Sequence, residues 1–288
     1  EYVVEMKGIV KNFGQVQAVK HGEFTLKKGE IHSLIGENGA GKSTMMKLLY
    51  GMYPIDEGEI IVKGEPMGTI TPKIAIEHGV GMVHQEFMLV NELTVLENII
   101  LGFEPKKGLT IDFDKARKEV KKYIEQYHMD VQLDKKVSQI SVGEAQRVEI
   151  IKTLMRGADI IILDEPTSFL DIRYKLEFLS IIQNMSRERN LSVIMSLHEL
   201  DLAGRISDKI ACVRGDKVDR FGTPEEIFTQ GYIPQLYQMT TGSYDERTGD
   251  LELPKTEGEP KVFVIAGNGT GTAVFRKLQR ERVPFVTG

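Results

Sequence analysis

Cysteine is nearly absent: Cys212 is the one thiol in 288 residues. A single thiol excludes an internal disulfide framework and a cysteine metal cluster. It is consistent with a reducing compartment. Its place in the apolar run 209–213 reads as a small buried hydrophobe. No apolar run approaches the roughly 18 residues of a membrane-spanning helix; patches such as 160–163 are strand-sized. The opening Glu1-Tyr2-Val3-Val4 has no basic region followed by an apolar core, so no secretory leader is expected. Basic charge is not in excess either. Lys and Arg number 37 against 42 Asp and Glu, for a net charge of -5. That balance gives no footprint for nucleic acid and argues against direct adhesion to anionic lipid. Work at a membrane would then go through protein partners. Internal repeats and low-complexity segments are also lacking.

What is present is ordinary for a globular chain, with 41% hydrophobic and 27% charged residues. The length suits one large α/β domain with a small appendage, or two modest domains. Short strands are expected at 3–9, 22–26 and 31–35. Met45, Met46, Leu48 and Leu49 then fall at helical spacing. The glycine-rich stretch 51–68 reads as an antiparallel turn-and-strand region, and 79–84 as another short strand. Residues 86–158 read as a mainly helical insertion, with a charged amphipathic helix at 114–127 whose charges are a solvated face. Strands at 160–163 and 191–196 alternate with helices at 174–189 and 199–206. A hairpin follows, 209–213 with 217–221 around Gly215-Asp216. The fold class is therefore α/β with a mixed core sheet. The main domain is expected over 1–240, a Gly/Thr/Glu/Pro-rich linker over 241–260, and an incomplete α/β extension over 261–288. In that extension Gly267-x-Gly269-x-Gly271 lacks the G-x-G-x-x-G spacing. It reads as a strand-to-helix turn, with a nucleotide or regulatory ligand site as the sharper alternative.

The strand at 31–35 runs into Gly36-Glu37-Asn38-Gly39-Ala40-Gly41-Lys42-Ser43-Thr44, the Walker A pattern of a P-loop. Glycines let the backbone wrap phosphates and point successive N–H groups inward, and the following helix adds positive potential at its N-terminus. Lys42 is placed to reach the outer phosphates and Ser43 to offer a hydroxyl to Mg²⁺. The bland alternative is a glycine turn carrying a surface lysine. Downstream, Ile160-Ile161-Ile162-Leu163-Asp164-Glu165 has the Walker B form. An Asp at the end of a buried strand can hold Mg²⁺ beside the phosphate loop, and Glu165 is placed to polarise an attacking water. Alone, this run would be a strand-end turn; after a Walker A it gains specificity.

Between the two lies Ile140-Ser141-Val142-Gly143-Glu144-Ala145-Gln146-Arg147. It resembles the signature of the ABC ATPase family, Leu-Ser-Gly-Gly-Gln followed by Gln-Arg. Ser141, Gly143, Gln146 and Arg147 match; Val142 and Glu144 depart from it. Without that resemblance the stretch would be a helix cap. Further family elements occur in order over roughly residues 2–230. The resemblance implies that Phe13 stacks on adenine and that Gln85 is the Q-loop glutamine, which senses Mg²⁺. It implies that Ser168-Phe169-Leu170-Asp171 is the D-loop at a dimer contact and that His198 is the switch histidine supporting Glu165. Ser141 and Gly143 would form a second phosphate cradle that completes the site of another chain. The cofactors implied are ATP and Mg²⁺. The partners implied are a second cassette (a homodimer or a paired ABC ATPase), transmembrane permease subunits and, indirectly, a substrate-binding protein. The place implied is the cytoplasmic face of the membrane.

The two halves resemble different importer ATPases. Residues 82–99 and 140–150 look like simple-sugar and nucleoside importers, which usually carry two cassettes per chain. Residues 164–173, 195–203 and the tail look like iron-chelate and cobalamin-type importers. A mosaic with a join near 155–170 is one expectation from this. The activity implied by the resemblance is ATP hydrolysis that powers solute import; the alternatives to such a transport motor are a non-transport ABC ATPase and a regulatory ATP-binding module.

Overall fold

Two twelve-residue strands, β1 (Tyr2–Phe13) and β2 (Val16–Lys27), pair antiparallel. Both run beyond 3–9 and 22–26, because backbone pairing continues through polar residues such as Lys11, Asn12 and Gln17 that apolar periodicity does not mark. Next come β3 (Ile31–Ile35), α1 (Lys42–Leu49), β4 (Glu57–Val62), β5 (Glu65–Pro66), α2 (Pro72–Glu77) and β6 (Val80–Val83). The insertion holds α3 (Val95–Ile100), a two-residue hairpin of β7 (Lys106–Lys107) and β8 (Thr110–Ile111), α4 (Phe113–Tyr127) and α5 (Val142–Met155). The core resumes with β9 (Ile160–Leu163), α6 (Ile172–Arg189), β10 (Ser192–Ser196), α7 (Leu200–Ile206), β11 (Lys209–Arg214), β12 (Lys217–Gly222) and α8 (Pro224–Ile227).

This is the computed structural model of residues 1–229, 231–245, 249–254, 256–266 and 270–287. Its contacts divide the chain between Ile227 and Phe228. In the first unit, β2-β1-β4-β5 form an antiparallel sheet and β12-β11-β3-β10-β9-β6 a mixed one. Within the mixed sheet β11, β3, β10, β9 and β6 are parallel, and β12 is antiparallel to β11. Every residue of β3, β6, β9 and β10 is buried, as parallel strands covered on both faces must be. Helix α1 joins the two sheets: Met45, Met46, Leu48 and Leu49 share one core with Met6, Phe24 and Ile60 and with Leu34, Ile162 and Ile194. Each such side chain contributes about 1.5–3 kcal/mol on burial.

The insertion is helical only from Val95 onward. Residues 86–93 are extended or turned instead, held by the buried Asn98. Its Nδ2 donates to the carbonyls of Val90 (3.0 Å) and Thr94 (3.0 Å), and its Oδ1 accepts from the Val90 N–H (2.7 Å). Thr94 caps α3 with a capping box closed by Glu97.

In the second unit, 241–260 is not a plain linker. It carries the antiparallel hairpin β13 (Ser243–Asp245) and β14 (Asp250–Glu252). A preceding helix, α9 (Tyr232–Leu236), lies against β13 and buries Ile233 and Leu236. A few anchored side chains such as Tyr244 suffice for the hairpin, which is why composition alone reads as linker. The tail is a βαβ unit: β15 (Val262–Val264) and β16 (Phe285–Thr287) pair in parallel across α10 (Thr272–Arg280), with Phe275 stacked on Phe285 at 5.4 Å. Gly267 and Gly269 lie outside the described residues.

Candidate functional site

The carboxyl ends of β3, β6, β9 and β10 meet at one edge of the mixed sheet, where an α/β fold places its ligands. β3 turns there through Gly36 at φ 145°, and Gly41 at φ 96° caps α1. A side chain on Gly36 would put a Cβ 2.0 Å from the Val213 carbonyl oxygen, so only glycine lets the loop leave β3 beside β11. Lys42 opens α1, is 4% exposed, and donates from Nζ to the carbonyls of Gly36 (2.7 Å) and Glu37 (2.9 Å). Burial pushes its ammonium below the ordinary lysine range, while Glu165 and Asp164 oppose that shift. A cation curled against its own loop at a helix N-terminus is poised for an anion.

Asp164 and Glu165 follow β9. Asp164 is buried, and its Oδ1 accepts from Ser43 Oγ (2.9 Å) and Ser196 Oγ (3.1 Å). Glu165 sits in the left-handed region at φ 47°. Its carboxylate accepts from Gln85 Nε2 (2.9 Å) and lies 2.8 Å from His198 Nε2. Gln85 follows β6 and His198 follows β10, so three strand ends converge on one carboxylate. Asn38, Gly39, Gly41, Lys42, Ser43, Thr44, Gln85, Glu165 and His198 line a single cleft of about 360 Å³. Ser43 and Asp164 bring a hydroxyl and a carboxylate together, the hard oxygen donors that suit Mg²⁺.

Six residues named from the sequence do not line that cleft: Gly36 and Asp164 lie just behind it, hydrogen-bonded to Lys42 and Ser43, and four others stand elsewhere. Phe13 is exposed at the end of β1, edge-on to Tyr53 at 5.1 Å. Ser141 caps α5, its Oγ accepting from the Glu144 N–H (3.2 Å) and donating to Glu144 Oε2 (3.0 Å). Gly143 admits the Tyr174 ring, which a Cβ would meet at 3.1 Å. Asp171 caps α6 through the Tyr174 N–H (3.1 Å). The structure also brings in residues that sequence reasoning left unassigned. Ser196 touches both carboxylate residues. Gln146 Nε2 donates to the Pro166 carbonyl (2.7 Å), and Thr167 Oγ1 donates to Glu199 Oε2 (2.8 Å). The available signal for Ser196 was its place at a strand end, two residues before His198.

A family model described as ABC transporter matches residues 19–168. The chain belongs to the ABC transporter family. It is 46% identical over 217 residues to the nucleoside import ATP-binding protein NupA of Lactococcus lactis, a match that covers 75% of this chain and 43% of that protein. It is 38% identical over 249 residues to the galactose/methyl galactoside import ATP-binding protein MglA of Haemophilus influenzae, covering 86% and 49%. The chain thus spans less than half the length of these curated relatives. Among solved structures, it is similar to a bacterial ABC transporter cassette solved as a dimer, at 25% identity and a TM-score of 0.67, covering 76% of this chain and 98% of that one. A cassette in its ADP conformation shares the fold at a TM-score of 0.74 and 22% identity, covering 83% and 99%. A 217-residue match in a chain of 288 passes through 155–170 wherever it begins. The alignment to the nucleoside importer therefore spans the join that the motifs suggest. Among the described residues, no helix of this ABC chain is long and apolar enough to cross a membrane.

Proposed function

We propose that this chain is the ATP-binding and ATP-hydrolysing subunit that powers solute import through a transmembrane permease, working on the cytoplasmic face of the membrane. The observation that carries this reading is the cleft itself. A buried Lys42 and the N-terminus of α1 stand opposite a carboxylate, Glu165, that Gln85 and His198 hold from two other strands. In this reading the backbone of residues 36–41 and Lys42 bind the outer phosphates. Ser43, Asp164 and Gln85 are the residues that would hold Mg²⁺. That ion, when bound, supplies charge neutralisation on the phosphates. Glu165 takes the proton of an attacking water, and His198 keeps the carboxylate aimed. Phe13 is the residue for adenine stacking.

Ser141, Gly143 and Asp171 stand away from the cleft, which supports their service in the site of a second cassette, in a homodimer or a paired assembly. The loop after Gln85 supports permease docking. Met88 is exposed and lines a cavity with Tyr50, His84 and Arg156. Phe87 and Leu89 instead line a groove with Val142 and Phe169. Apolar side chains on two sides of one loop suit a partner helix. A substrate-binding protein would act indirectly, through the permease. Similarity to importers of nucleosides and galactosides supports a small polar solute as cargo.

The test is Glu165→Gln. Nucleotide affinity should hold within about threefold while turnover falls by about 10²–10⁴, the usual worth of a positioned base. Steady-state phosphate release beside calorimetry decides it, and wild-type-like turnover removes Glu165 from the base role.

A further inference from the structure

We infer that Ser196 is a positioning residue that sets the geometry of both carboxylates in the hydrolytic cleft, an inference that rests on the proposed ATPase reading. Ser196 is the last residue of β10, pairs with Leu34 of β3, and is completely buried. Its hydroxyl does two things at once. It donates to Asp164 Oδ1 at 3.1 Å and accepts the Glu165 N–H at 2.7 Å. One oxygen on the central strand thus ties the side chain of one β9-end residue to the backbone of the next.

The backbone bond matters more. Glu165 lies at φ 47°, a region that a non-glycine residue keeps only when its surroundings over-determine it. Its N–H is held by Ser196, and its carboxylate is reached by Gln85, His198 and Ser168. Those side-chain contacts exist only while the backbone at 165 aims the carboxylate toward the ends of β6 and β10. Without the hydroxyl, a partly buried N–H loses its partner, and the cheapest remedy is rotation of Glu165 out of the left-handed region. The carboxylate then leaves Gln85 and His198. The Asp164 bond adds a second constraint, since Ser43 Oγ and Ser196 Oγ converge on the same Oδ1 and fix the carboxylate plane. Ser196 reaches no lining position of the cleft, so it acts through these two residues.

The experiment compares Ser196→Ala and Ser196→Thr with wild type. For Ser196→Ala we expect kcat to fall roughly 10- to 100-fold, the fold-change that a lost hydrogen bond to a charged or strained group gives. KM and calorimetric ADP affinity should stay within about threefold, because the phosphate loop is untouched. Ser196→Thr restores a hydroxyl on the same Cβ and should recover most of kcat, even where its extra methyl lowers the melting temperature. A purely structural role predicts the opposite pattern: kcat tracks melting temperature and threonine does not rescue. A crystal structure of nucleotide-free Ser196→Ala supplies a readout independent of turnover. Glu165 should leave positive φ and lose Gln85 and His198; an unchanged Glu165 overturns the inference. If wild type itself fails to turn over ATP, the functional reading falls, and the crystal structure still judges Ser196.

Discussion

At the scale of single residues, the phosphate loop was legible because its chemistry is local. Gly36, Gly41, Lys42 and Ser43 are dictated by a loop that must close on itself within nine residues. The structure adds a reason for one of them that spacing does not contain. On the proposed reading phosphates require Gly36, and so does Val213, whose carbonyl occupies the space a Cβ would need. Gly36→Ala therefore meets both a steric wall and a φ of 145°. We expect a loss of at least about 2 kcal/mol in stability, within the range for a residue forced into a forbidden backbone region. ADP affinity should drop tenfold or more, because the loop moves with its first residue. Chemical denaturation and calorimetry check both, and wild-type values in the pair would mean that the β3–β11 contact yields. By contrast the roles of Ser196 and Asn98, and the partner of Gln146, were illegible. Each is a small polar residue whose partner lies on another strand or loop, and only tertiary approach reveals what it holds.

At the scale of elements, strands buried on both faces could be read directly, as the bounds of β3 and β9 show. Elements whose pairing runs through polar residues could not, so the ends of β1 and β2 and the hairpin at 243–252 were undercounted. One buried polar residue inside a legible strand has a consequence for pH. His32 in β3 is 1% exposed, set edge-on to Phe24 and near Phe221, with its ring nitrogens facing the Thr25 carbonyl and the Glu30 carboxylate, to one of which the neutral ring donates. Burial pushes its pKa below the usual histidine value of 6.5, with Glu30 opposing. The unfolded chain therefore takes up this proton first as pH falls, so unfolding gains protons and stability drops below about pH 6.5. Above that pH the contribution is complete. His84 is shifted down by burial too and acts with the same sign. Stability by urea unfolding should be flat from about pH 7 to 8 and fall toward pH 5.5 by up to about 1.4 kcal/mol per unit for each proton. His32→Phe should flatten part of that slope despite lowering stability overall. An identical slope in the variant would mean that His84 and the carboxylates account for it without His32.

At the scale of the whole molecule, the ABC cassette was legible from the order of its motifs, while the division after Ile227 was not, since nothing in composition marks it. The most consequential feature at this scale is an incompleteness. The cleft lined by Lys42, Glu165 and His198 has no contribution from Ser141 or Gly143. In the single chain Ser141 is occupied locally, its hydroxyl and N–H engaged by Glu144. That carboxylate is held below its ordinary range by the Ser141 N–H first and the Ser141 hydroxyl after it. For Ser141 to meet a phosphate on another chain, the hydroxyl must leave Glu144, an exchange made favourable by a more highly charged acceptor at the same helix N-terminus. On the proposed reading we predict a head-to-tail dimer, with two sites that each draw on both chains. Lys42→Ala alone and Ser141→Arg alone should each be inactive as homodimers, because both of their sites carry the lesion. In a mixed dimer the two lesions fall together in one site and leave the other whole. Mixing the variants should then restore up to about half of the activity per heterodimer, an effect that disappears on dilution below the dimer dissociation constant. Phosphate release measured across mixing ratios, with dimer content followed by analytical ultracentrifugation, decides the matter. Heterodimers that form and stay silent would place Ser141 outside any shared site and return it to the single role of capping α5.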